Sequence, residues 1–209
     1  ITINSTTTGA VTHGAIATTG GTTVTITQAD TNASGTTSVA GGITVTGNAD
    51  TTSVTTVDSA ITALLAAHTG GAVTVNDKNA ASTTLAGTIT DVSVTNAAAV
   101  AVNSSALTTL NLTGTIASAD LDTLGALATG ALTSLTVNTS TMAMAGTLQV
   151  DGQVTTLNLA NTGTSSIGDL DASGATTVNV SGTGKLTLSA LTATAATSFV
   201  STQTADGLV

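Results

Sequence analysis

Leu107-Thr108-Thr109-Leu110-Asn111-Leu112 is the stretch whose reading decides the fold. Its form is small or apolar, Thr, polar, apolar, any, apolar. It returns at Leu132-Thr133-Ser134-Leu135-Thr136-Val137, at Val154-Thr155-Thr156-Leu157-Asn158-Leu159 and at Ala175-Thr176-Thr177-Val178-Asn179-Val180. A degraded copy stands at Ala196-Thr197-Ser198-Phe199. The copies are about 21 to 25 residues apart, inside the range of stacked repeats. One such unit cannot bury its apolar face alone. It needs the next copy, so the expected molecule is an elongated stack.

Working outward, the apolar–any–apolar core of the phrase recurs at Val24-Thr25-Ile26, Ile43-Thr44-Val45, Val73-Thr74-Val75 and Val92-Ser93-Val94, with Ile1-Thr2-Ile3 as a truncated first copy. Each is a short period-2 strand with Thr, Asn or Ser on the opposite face. The pairs Gly20-Gly21, Gly41-Gly42 and Gly70-Gly71 precede three of them and mark turns. Weaker strand candidates, Thr147-Leu148-Gln149-Val150 and Lys185-Leu186-Thr187-Leu188, lie between later copies. A coil of about twenty residues with two or three short strands is the arithmetic of a parallel β-solenoid. Like residues would stack in rows along the axis, and the Asn and Thr of successive phrases would form ladders.

Composition agrees. Thr makes up about a quarter of the 209 residues, and the helix formers Glu and Arg are absent. All eleven acids are Asp, the only bases besides two histidines are Lys78 and Lys185, and the net charge is −9. Two lysines cannot neutralise a phosphate backbone, so nucleic acid is not an expected partner. An apolar share of 41% with positive mean hydropathy argues against disorder. With no cysteine there is neither a disulfide nor a thiolate metal site. No apolar run is long enough to span a membrane as a helix. Without a starting Met or a signal peptide, the chain reads as mature, trimmed or a fragment of a larger one.

One segment carries a helical pattern. Asp58 to His68 has apolar residues at helical spacing, with Asp58 or Ser59 as cap and Gly70 to close it. Asp120 to Ala128 is a second, shorter helix candidate capped by Ser118. The expected fold is thus mainly all-β: a parallel β-solenoid (β-helix) with irregular coils of about 20 residues and one short helix insertion. It divides into an N-terminal strand region 1–57, a helix or insertion 58–70 and a solenoid 71–209, or forms one continuous elongated domain 1–209.

The stretch Thr84-Leu85-Ala86-Gly87-Thr88-Ile89-Thr90-Asp91-Val92-Ser93-Val94, followed by Ser105-Ala106-Leu107-Thr108-Thr109-Leu110-Asn111-Leu112-Thr113-Gly114-Thr115, resembles bacterial surface-layer proteins and related large secreted β-repeat proteins. The resemblance covers roughly residues 84–200 and rests on repeated style. It implies type I export, a β-helical body, calcium-dependent assembly and a lattice on the cell exterior. The glycine-rich calcium nonapeptide of secreted repeat proteins, Gly-Gly-x-Gly-x-Asp, is missing from this chain.

Candidate sites are few. Asp120-Leu121-Asp122 and Asp169-Leu170-Asp171 would, if extended, each place two carboxylates on one face, a start toward a calcium site. The plainer reading is that these Asp residues cap turns and face water. Asn76-Asp77 with Asn79 is a weaker cluster that reads as a turn. His13 and His68 lack companions at zinc-ligand spacing, and no Gly-x-Ser-x-Gly elbow supports a catalytic triad. No catalytic residue and no cofactor other than calcium is expected. The leading function is therefore a structural protein of the bacterial cell surface. It would self-assemble into a layer or fibre, with copies of itself and cell-surface polysaccharide as partners. Two alternatives stay open: the stalk of a secreted adhesin, and an ice-binding solenoid suggested by Thr23, Thr25 and Thr27 and by Thr44 and Thr46.

Overall fold

A computed structural model describes residues 1–7, 12–30, 37–60, 67–82, 84–121 and 132–204. In chain order the strands of the first half are β1 (Thr2–Thr7), β2 (Ile16–Thr19), β3 (Thr23–Asp30), β4 (Thr37–Val39), β5 (Ile43–Thr46), β6 (Ser53–Ala60), β7 (Ala67–Thr69), β8 (Ala72–Asn76), β9 (Asp91–Ala97), β10 (Ala99–Asn103), β11 (Thr109–Ile116) and β12 (Ala119–Asp120). The second half contributes β13 (Ser134–Gln149), β14 (Thr156–Asn161), β15 (Ser165–Asp171), β16 (Thr177–Gly182), β17 (Leu186–Thr192) and β18 (Ser198–Gln203).

The described residues form an all-β molecule with parallel strands, as the Thr and Val content demands. Sixteen strands share one curled sheet, and β4 and β7 form a separate pair. Pairing joins strands one lap apart, so each lap adds a strand to each of two long ladders. The first ladder runs β1, β3, β6, β9, β11, β13, β14, β16, β18. The second runs β2, β5, β8, β10, β12, the end of β13, β15 and β17. The sixteen-residue β13 belongs to both ladders.

Alternate residues of both ladders point into one shared core. Val24, Val54, Val92, Leu110 and Val178 of the first ladder are each 0% exposed, as are Val45, Val75, Leu148 and Leu170 of the second. Ile43 and Val73 were read in one series with Val24 and Val92, but they stand in β5 and β8 of the other ladder. The two ladders carry the same alternation because both face the same core.

The expected helix at Asp58 to His68 is corrected by the structure. Asp58, Ser59 and Ala60 end β6, and Ala67 and His68 lie in β7; residues 61–66 are outside the described residues. Gln28, Ala29 and Asp30 of β3 stand opposite Asp58, Ser59 and Ala60. An open edge of paired backbone groups captures the segment, and its local helix propensity is worth less than those hydrogen bonds. The second helix candidate meets the same fate at its start, since Asp120 pairs with Gln149 in the ladder. Its remainder from residue 122 lies outside the described residues.

The repeated phrase does not stay in register throughout. Leu135 stands opposite Leu157, and Leu157 opposite Val178, as matching copies should. Leu110, however, stands opposite Val137 and not Leu135, a slip of two residues. Because side chains alternate with period 2, this slip leaves every inward residue inward. It also brings Asn111 opposite Asn138.

Glycine is required where laps nearly touch. A Cβ on Gly71 would sit 2.1 Å from Gly41 O, and one on Gly41 would sit 2.2 Å from Gly14 O. Gly114 adopts φ +78, and the Asn96 Oδ1 of the lap below occupies the place of its missing Cβ at 2.0 Å. That Asn96 also has a left-handed φ of 54. Its Oδ1 accepts the Thr115 N–H at 2.8 Å, and its amide donates to Asp58 O at 2.7 Å. The bend that Asn96 makes in β9 and Gly114 in β11 is therefore pinned across laps.

Candidate functional site

Two outer ladders hold successive laps together. In the first, the second residue of the phrase donates its hydroxyl to the carbonyl of its counterpart one lap back. The pairs are Thr52 to Thr22, Thr90 to Thr52 and Thr108 to Thr90, and then Thr155 to Thr133, Thr176 to Thr155 and Thr197 to Thr176, at 3.1 to 3.4 Å. The same carbonyls take backbone donors: Thr155 O receives Thr176 N–H at 2.9 Å and Thr177 N–H at 3.0 Å. A β-branched hydroxyl residue therefore serves twice, as strand former and as donor.

In the second ladder, side-chain amides stack. Asn111 donates to Ser93 Oγ at 2.9 Å, and Asn138 donates to Asn111 Oδ1 at 2.8 Å. Asn179 donates to Asn158 Oδ1 at 2.9 Å, and Asn103 donates to Asn76 Oδ1 on the other ladder of strands. The expected Asn and Thr rows are present. The Thr row breaks between β11 and β13, where the register slips and Thr108 O receives the Thr136 N–H at 2.8 Å; the Asn row crosses that slip through Asn111 and Asn138 and breaks one lap later, where Asn158 faces Thr136 instead of Asn138. The outward row through Thr25 and Thr55 passes to Ser93 and Asn111, so its Thr rank spans only neighbouring laps.

Three of the acids, Asp77, Asp151 and Asp171, are turn formers. Where the chain leaves the second ladder for the next lap, a side-chain oxygen accepts the N–H two residues on. Asn48 receives Asp50 at 2.9 Å, Asp77 receives Asn79 at 3.0 Å, Ser104 receives Ala106 at 3.2 Å, Asp151 receives Gln153 at 2.7 Å and Asp171 receives Ser173 at 3.1 Å. This is the local hydrogen bonding that favours Asx and Ser turns. Asp77, 3% exposed, does more. Its Oδ2 accepts Thr88 N–H at 2.6 Å and Ile89 N–H at 2.7 Å, closing the long excursion between β8 and β9.

The candidate metal residues are thus distributed as follows. Asp169 and Asp171 lie on β15 either side of buried Leu170, so both carboxylates share its outward side. Asp171 forms the turn just described. Asp169 Oδ1 is enclosed without a hydrogen-bond partner. Asp120 is on the same row as Asp171, with Gln149 between them. Asp122 lies outside the described residues. No cluster of three or more metal-ligating His, Cys, Asp or Glu side chains occurs among the described residues.

His13 is buried, its Nδ1 3.2 Å from Ser5 Oγ and its Nε2 3.1 Å from Thr7 Oγ1. His68 stands opposite Ser38 in the β4–β7 pair. A depression of about 250 Å³ opens at Thr115, Ile116, Ala117, Ala143, Met144, Ala145 and Ser166, a lining of small and apolar groups.

Two features were not foreseen from the sequence. One is an inward polar group on β3 and β6, comprising Gln28, Asp30, Thr56 and Asp58. The alternation that begins at Val24 and Ile26, carried two steps further, would have placed Gln28 and Asp30 on the core side. The other is the state of the last lap. Phe199 is 43% exposed although its register partner Val178 is 0% exposed, and Leu191 is 42% exposed although its partner Leu170 is 0% exposed.

No family model and no curated protein matches the chain. No helix among the described residues is long and apolar enough to cross a membrane.

Proposed function

We propose that the curled parallel sheet is a β-solenoid and that its work is assembly: a structural protein of the bacterial cell exterior that builds a surface layer or fibre from stacked repeats. The observation that carries this reading is the contrast between inner laps and the last lap. An apolar row that is sealed at Val178 and Leu170 continues at Phe199 and Leu191 without a cover. Strands β1 and β18 each pair on one side only among the described strands, and Ile1 at the opposite end is 45% exposed. Unpaired parallel edges with apolar side chains template further strands. A lap of matching spacing and pattern would cover this row, whether it comes from the same chain or from a second copy.

Low charge helps, since few charged groups must be desolvated when copies meet. The net charge of −9 acts against unlimited association and makes it sensitive to cations. Calcium at the outward carboxylates of Asp120, Asp169 and Asp171, and a cell-surface polysaccharide as anchor, belong to the same proposal. An adhesin stalk would use the same stack as isolated rods.

Electron microscopy of the purified chain with calcium and with chelator tests the reading. Ordered sheets or fibres that respond to chelation are expected. A monodisperse monomer at high protein concentration with calcium present contradicts it.

A further inference from the structure

The inner row of β3 does not stay apolar. Beyond Val24 and Ile26 it carries Gln28, 0% exposed, and Asp30, 1% exposed; on β6 the row carries Thr56, 1% exposed, and Asp58, 5% exposed. Gln28 is opposite Asp58, with Ser5 on its other side. Asp30 follows Gln28 by one inward step, and Thr56 precedes Asp58 by one. Gln28 and Asp58 thus stand side by side about 4.8 Å apart, with Asp30 about 6.7 Å further along; Thr56, opposite Ile26, lies on the far side of the pair, about 14 Å from Asp30.

Both polar atoms of the Gln28 amide and the Thr56 hydroxyl are buried without a hydrogen-bond partner. A buried amide left in this state is costly. The C-terminal laps handle the same problem differently. There, inward Thr139 donates to Asn161 Oδ1 at 2.9 Å, and Asn161 donates to Gly163 O at 2.6 Å. That pair is closed by its own neighbours; the Gln28 amide is not. Ser5, the neighbour of Gln28 on β1, contacts the His13 ring at 3.2 Å.

We propose that Gln28, Asp30 and Asp58 bind one hard divalent cation inside the first laps, calcium in preference to magnesium. Two carboxylates and an amide oxygen supply about three to five oxygen ligands, and the charge of the carboxylates matches that of the ion. Calcium takes about six to eight oxygens in flexible geometry and completes its shell with water, whereas magnesium demands a near-ideal octahedron. The chain contains no Arg, and both of its lysines, Lys78 and Lys185, are exposed. The site is separate from the outward row of Asp120, Asp169 and Asp171, and it does not depend on assembly.

The test is calorimetric titration of the chelator-treated chain with calcium and then with magnesium, alongside thermal unfolding followed by far-ultraviolet circular dichroism. One calcium per dispersed chain is expected, with a Tm that rises with calcium concentration. Gln28→Met should weaken binding about tenfold or more. The isosteric pair Asp30→Asn with Asp58→Asn should abolish it, and Asp169→Asn with Asp171→Asn should leave it unchanged. Absence of uptake by the wild-type chain overturns the proposal. So does uptake that survives Gln28→Met and Asp58→Asn, or uptake that disappears with the Asp169 and Asp171 changes. Because the readout is ion binding by dispersed protein, a chain that binds calcium and never assembles would contradict only the proposed function.

Discussion

The laps before and after the register slip are made from the same phrase but keep different time. Successive donors in the Thr ladder are 22, 21 and 21 residues apart from Thr133 onward. Before the slip the steps are 30, 38 and 18 residues. The hydrogen bonds are nevertheless the same in kind and length. A parallel ladder fixes which residues stand opposite each other and leaves the length of chain between them free, so insertions are absorbed between strands. The 38-residue step contains the excursion that Asp77 pins through Thr88 and Ile89. Regular laps need only a short Asx turn, as at Asp151 and Asp171.

The interiors differ as well. The later laps are filled by Leu135, Leu157, Leu159 and Leu170, and their inward Thr139 and Asn161 are hydrogen-bonded to each other. The earlier laps use smaller Val and Ile and then turn polar at Gln28 and Thr56. Stability in stacked repeats is a sum of local and nearest-neighbour terms, so damage in one set of laps should fade with distance.

The largest effect is expected from Leu157→Ala, which removes a 0% exposed side chain from the regular laps. Denaturant unfolding should show a loss of about 2 to 5 kcal/mol. Hydrogen exchange should rise first in β14 and β16 and least in β1 and β3; uniform loss along the chain would erase the distinction between the two sets of laps. Next comes Gly114→Ala, which forces a left-handed residue against Asn96 and should cost about 1 to 3 kcal/mol. Adding Asn96→Gly should recover part of that loss if the clash is its cause, and a melt of the single and double variants reads this directly.

A smaller effect is expected from Asn138→Ala, which removes the amide bond that spans the slip. It should cost about 1 kcal/mol, more than the same change at an exposed Asn outside a ladder such as Asn4. The smallest is Thr176→Val. It deletes one hydroxyl donor but leaves both backbone donors on Thr155 O, so about 0.5 kcal/mol is expected from chemical denaturation.

Much of this architecture was legible in the chain. The strands, their parallel stacking and the Asn and Thr rows follow from period-2 alternation and from the recurrence of Leu-Thr-Thr-Leu-Asn-Leu. The helical pattern beginning at Asp58 misled because Ser59 and Ala60 say nothing locally about the edge of β3 that captures them. The slip at Leu110 was hidden because matching copies by their letters favours Leu135, whereas the folded chain matches Asn111 with Asn138. The acidic triplet Asp169-Leu170-Asp171 is extended within β15, so its two carboxylates share one face. The turn made by Asp171 depends on Ser173, which no pairwise motif of carboxylates would include. Gln28 and Asp30 escaped notice because a short apolar core draws the eye to where alternation is hydrophobic and away from where it continues.

The central claim is that two sets of laps meet two residues out of phase, and engineered cysteines address it in a chain that has none of its own. Asn111→Cys with Asn138→Cys places the pair directly opposite at about 4.8 Å between Cα atoms, and a disulfide needs about 4.4 to 6.8 Å. Asn111→Cys with Thr136→Cys, the pairing that matching phrases would give, lies diagonally at about 8 Å, beyond reach without backbone movement. Mild oxidation of the two variants, read by mass spectrometry, should give rapid and nearly complete intramolecular crosslinking in the first and little in the second. The reverse result would contradict the slip and with it the division of the stack into two sets of laps.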